Sequence, residues 1–164
     1  MSHPTRSLLI LAAMLTLGMA PASAADPTHE HGAHGVTALK LDNGQKWKTD
    51  APLRKGMANI KAAVQPHLHA IHENTLKAAN YQTLAKRTTT QIAFVVENCK
   101  LAPDADAQLH LIIAELGAAA DVMAGKDKAQ SRQKGALQLV HALEAYGQFF
   151  DHPGWDASAA GHAH

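Results

Sequence analysis

The chain predicts an all-α fold, an antiparallel up-down-up-down four-helix bundle, on three observations. From residue 50 onward apolar residues recur at three- and four-residue spacing in four successive stretches of about 20 residues. The stretches are joined by only two to five residues, which forces consecutive helices to lie antiparallel. Pro and Gly stand at several of the boundaries, where a helix starts or cannot continue. No repeat with a period of about 34 or 40 residues is present, which argues against a helical solenoid.

Each helix follows from its own signals. Asp50 is placed to cap the first, with Pro52 in its opening turn, and the stripe Leu53, Met57, Ile60, Val64, Leu68 and Ile71 carries it from 51 to 78. Pro66 falls inside, removes one backbone hydrogen bond and predicts a kink. Asn80 opens the second helix, whose stripe is Leu84, Thr88, Ile92, Val95 and Cys99 and which ends before Pro103. Asp104 is expected to cap the third, built on Leu109, Ile112, Ile113, Leu116, Ala120 and Met123 and closed by Gly125. The fourth runs from 128 to 150 over Ala136, Leu139, Val140, Leu143, Tyr146 and Phe150, and Pro153-Gly154 stops it. Ahead of the helices, Asn43-Gly44 predicts a turn between two short runs, and Leu39, Leu41 and Trp47 are expected to lie as a strap against the bundle.

The flanks differ in kind from this domain of residues 39–156. Residues 1–24 carry Arg6, the apolar run Leu8 to Leu15 and the small-residue signal Ala22-Ser23-Ala24, the pattern of a secretory signal peptide. That run is too short for a membrane span, and no later stretch is expected to be long enough. The working protein is therefore expected to be periplasmic or secreted. Residues 25–38 and 157–164 have no apolar period and are expected to be disordered.

Charge and composition narrow the function. The chain has 15 Lys and Arg against 14 Asp and Glu, so it lacks the basic excess of a nucleic-acid-binding protein. Cys99 is the only cysteine. Intrachain disulfides, Cys-x-x-Cys redox chemistry and covalent haem attachment are thereby excluded, and Cys99 reads as a small core residue. The sequence has no Gly-rich phosphate loop, no His-Glu-x-x-His and no Gly-x-Ser-x-Gly, and we expect no enzyme activity.

Histidine is the residue in excess, with 12 in the chain. His69, His110 and His141 project away from the apolar stripes and should be solvated, while His67 and His72 flank the first stripe on opposite sides. His29, His31 and His34 near the start and His162 and His164 at the end, with His152 farther back, lie where they serve no core. Short His-rich tracts bind copper, nickel or zinc through neutral imidazole and release the metal on acidification. The candidate metal ligands are therefore His29, His31, His34, His152, His162 and His164, with His67 and His72 as inner ligands. Met57 and Cys99 should lie at one end of the bundle, a pairing suited to Cu(I), although both sit on core stripes where gap-filling is the commoner role.

Two family resemblances add to this reading. Met57 with its helix, and Gly125-Lys126 followed by Glu144-Ala145-Tyr146-Gly147, are similar to the soluble periplasmic cytochromes b, exported four-helix bundles that hold haem between a Met on the first helix and a His near the end of the fourth. That resemblance implies Met57 as one haem ligand, but Gly147 occupies the place of the axial His, so it implies the scaffold without its haem. The segments Leu41 to Met57 and Phe149-Phe150-Asp151-His152-Pro153-Gly154-Trp155 resemble small exported proteobacterial proteins of the DnrO type. This second resemblance covers nearly the whole chain after residue 24 and implies location and fold, with no activity attached. The expectation is a non-catalytic exported bundle that binds or buffers transition metal through its His-rich ends. The alternatives are a haem b electron carrier using Met57 and a shifted His, and a structural or partner-binding module for which Phe94, on the polar side of the second helix, is the hint.

Overall fold

The computed structural model describes residues 38–156, and within them the protein is mostly helical. The elements in chain order are β1 (Trp47–Lys48), α1 (Ala51–Val64), a 3-10 turn (Gln65–His67), α2 (Leu68–His72), α3 (Ala78–Asn98), α4 (Pro103–Ala124), α5 (Arg132–Phe149) and β2 (Phe150–Asp151). Four of the helices are long, and α4 packs along both α3 and α5 while α1 packs chiefly along α3. The core joins them through Leu53, Met57, Ile60, Ile71, Leu109, Ile112, Leu116, Leu139, Leu143 and Tyr146, all essentially inaccessible to solvent.

The helix starts follow local chemistry. Asp50 accepts a hydrogen bond from the Leu53 amide at 2.9 Å and caps α1, as its position predicts. The third long helix, α4, starts two residues earlier than expected: Ala102 is its cap and Pro103 its first residue, leaving Asp104 and Asp106 to interact with the positive end of the helix dipole. Ser131 caps α5 by accepting from the Lys134 amide at 3.2 Å, so this helix begins at 132 rather than 128. Asp127 and Gln130 close a turn of their own just before it, which explains the difference.

The first helix departs most from expectation. In place of one kinked helix to residue 78, Pro66 sits in a 3-10 turn and α2 ends at His72, followed by Asn74 in the left-handed region with φ 53°. Gly125 closes α4 at φ 80°, as predicted.

Before α1, Asp42 and Gln45 exchange two backbone hydrogen bonds of 2.8 Å around Asn43-Gly44, both at positive φ, so the predicted turn is present. Leu39 and Trp47 pack against the core, but Leu41 is exposed, which corrects its expected place in the strap. The strap then forms something the sequence pattern does not announce. Trp47–Lys48 pairs in parallel with Phe150–Asp151, so the segment before the first helix is hydrogen-bonded to the segment after the last.

One further correction concerns length and hydropathy. Pro103–Ala124 is long and apolar enough in composition to cross a membrane, contrary to the expectation of no such later stretch. Its Ala, Leu and Ile content reflects a helix flanked on two sides: Leu109, Ile112, Leu116, Ala119, Ala120 and Met123 are buried in the bundle.

Candidate functional site

The described polar and aromatic groups concentrate where the end of α5 meets the start of α1. Asp50 stands at the centre. Besides capping α1, its carboxylate accepts from the Lys100 amide at 2.7 Å and from the Cys99 thiol at 3.5 Å. Burial acts to raise its pKa. The amides of Lys100 and Leu53, the Cys99 thiol and the Arg54 charge outweigh burial and hold the carboxyl below its ordinary value. Burial and the neighbouring Asp50 charge push the Cys99 thiol up to about 12. At neutral pH it is a protonated donor with almost no thiolate, which fits neither a nucleophile nor a ready soft-metal ligand.

The chain leaving α5 folds back over this region. The Tyr146 hydroxyl, fully buried, meets His152 Nδ1 at 3.0 Å, and the Tyr146 ring stacks on Phe150 at 5.2 Å and meets Trp155 edge-on at 4.9 Å. Burial raises the Tyr146 phenol well above its usual range, so it stays protonated, and it shares one hydrogen bond with the imidazole. His152 is lowered, first by burial and then by the positive charges of Arg54 and Lys61. Lys61 lies over the Trp155 ring at 4.7 Å and donates to the Asp156 carbonyl, while Arg54 donates to the Thr49 carbonyl at 2.7 Å. Thr49 in turn donates to the Asp151 carbonyl at 2.6 Å and Lys46 to the Gly147 carbonyl at 2.6 Å. The arrangement is a clasp that ties both ends of the bundle sequence together.

Sequence reasoning singled out His152 and missed its partners Arg54, Lys61, Tyr146 and Trp155. The signal was present in the aromatic run Phe149-Phe150 followed by the Pro153-Gly154 turn and Trp155, since such a turn lets a ring fold back onto the helix it has left.

The other candidate residues are dispersed. His67 is half-buried in the 3-10 turn, and His72 is exposed at the end of α2. Among the described residues no three His, Cys, Asp or Glu side chains are grouped to hold a metal ion, so His67, His72 and His152 do not converge. His69, His110 and His141 are exposed, as expected. Met57 is 1% exposed inside the core and Gly147 is buried in α5. Phe94 is half-buried under the Lys55 ammonium at 5.3 Å rather than standing free on the polar side. His29, His31, His34, His162 and His164 lie outside the described residues.

Compared with known proteins, the chain matches no family model, no curated protein and no solved structure, and its two family resemblances rest on the residues quoted for them.

Proposed function

We propose that this is an exported, non-catalytic helical-bundle protein that binds transition metal, copper, nickel or zinc, through the His-rich segments at its two ends. The observation that carries the reading is the placement of imidazoles in the sequence: His29, His31 and His34 fall within six residues, and His162 and His164 lie at the other end. We read the bundle as up-down-up-down. In support, Asp50 before α1 bonds Lys100 after α3, and Gln133 in the first turn of α5 bonds the Ile71 carbonyl at 2.8 Å near the end of α2.

The ends of the described chain are compatible with one shared metal site. The Lys40 amide is tied to Gln108 in the second turn of α4, and Asp156 to Lys61 in the last turn of α1. His29 stands eleven residues before Lys40 and His164 eight after Asp156, spans of up to about 36 Å and about 26 Å when extended, which is the reach a shared ion would draw on. His152 is engaged with Tyr146 and is not among the proposed ligands.

Equilibrium dialysis against Cu(II), Ni(II) and Zn(II) tests this with the five terminal histidines changed to Ala. Binding should fall to background in the variant; unchanged stoichiometry would place the ligands elsewhere. Haem binding is the second reading. It is disfavoured by the burial of Met57 in a closed core and by Gly147 at the axial position.

A further inference from the structure

A shallow groove of about 680 Å³ runs along the outer surface between α3 and α4. Its floor is small, with Ala85, Thr89, Ala93, Ala120 and Ala124, and Phe94 stands at one end. On α3 the open face carries Lys86, Thr90, Ala93 and Glu97, with Val96 beside them 60% exposed. The charges at the rim differ in one respect. Asp121 and Lys126 neutralise each other at 2.7 Å across the end of α4, whereas Lys86 and Glu97 have no ion-pair partner among the described residues.

Lys86 and Glu97 are eleven positions apart on one helix, about 16 Å along its axis, too far to meet each other. A two-fold axis perpendicular to α3 between residues 91 and 92 exchanges them. Lys86 of each copy then faces Glu97 of the other, with Thr90 and Ala93 between them. The residues nearest the axis, Thr90 and Ala93, are small, which lets two helices approach closely. An isologous contact requires such self-complementarity of charge and shape on a single patch.

We propose that this groove is the interface of a homodimer, in which α3 of a second copy lies antiparallel in the groove between α3 and α4. The pairing uses the charges at the two ends and the close approach of Thr90 and Ala93 between them.

Sedimentation velocity on the full exported chain, in the presence of a chelator so that the His-rich ends cannot bridge copies through metal, decides the matter. At tens of micromolar a dimer is expected. Lys86→Glu alone and Glu97→Lys alone each set like charges against one another twice across the axis and should weaken the dimer about tenfold or more. The double reversal should restore it to within about threefold of the original, because opposite charges again face across the axis. Both positions are exposed, so circular dichroism should show all three variants folded. A monomer throughout this range would overturn the proposal, as would single reversals that leave the dimer unchanged or a double reversal that fails to restore it. Loss of metal binding in the five-histidine variant bears only on the proposed function and leaves this result untouched.

Discussion

Asp50 shows how much one side chain can hold. It caps α1 and binds the chain just after α3 through Lys100 and Cys99, so its carboxylate joins two helices that are distant in sequence. Asp50→Ala should lower stability to urea by about 2 kcal/mol, the upper end for a lost cap, because the Lys100 amide loses its acceptor too. Asp50→Asn should cost less. Its pKa is lower folded than unfolded, so its stabilisation is present above pH of about 4 and is lost as pH falls through the folded value. His152 acts in a higher window. Its pKa is also lower folded, so the unfolded chain takes up a proton first, and stability falls as pH drops from about 6.5 toward the folded value. Urea midpoints measured from pH 8 to 5 should decline below about 6.5 in the native protein. His152→Gln should flatten that decline; an unchanged slope would mean that His152 is not the responsible group. With Trp47 replaced by Phe, Trp155 fluorescence reports the same region directly.

At the scale of elements, the helices were legible because burial imposes a period on them. Leu53, Met57, Ile60, Val64 and Ile71 recur at helical spacing and all five are buried. Boundaries were less legible where two local signals compete. Asp104 and Pro103 both mark a helix start, and proline at the first position prevailed. The parallel pairing of Trp47 with Phe150 was not legible, because two-residue strands leave no alternation to read and their partners are about a hundred positions apart. Helix contact also has a signature that periodicity does not weigh. A Cβ on Gly135 would lie 2.8 Å from the Ala119 carbonyl and the Met123 amide, so α5 approaches the α4 backbone here as only glycine permits. Helix propensity alone favours Ala over Gly by about 1 kcal/mol. Gly135→Ala should nevertheless destabilise by about 1–3 kcal/mol in urea unfolding, because the obstructing atoms are backbone and cannot rotate away. A stabilised variant would show that α4 and α5 have room to separate.

At the scale of the whole molecule, the protein combines a core closed by a clasp with histidines placed at both chain ends. The inner candidates were the illegible part of the site. Helical angle puts His67 and His72 at the edge of the stripe but does not say whether a third donor faces them, and among the described residues none does. The terminal histidines follow from composition alone and carry the central claim. The most direct test is native mass spectrometry of the chain, purified without an affinity tag and titrated with Cu(II), beside the variant in which His29, His31, His34, His162 and His164 are all Ala. Copper-bound species are expected for the native chain and bare polypeptide for the variant. Equal copper binding by both, or a haem-sized adduct with a Soret band, would contradict this.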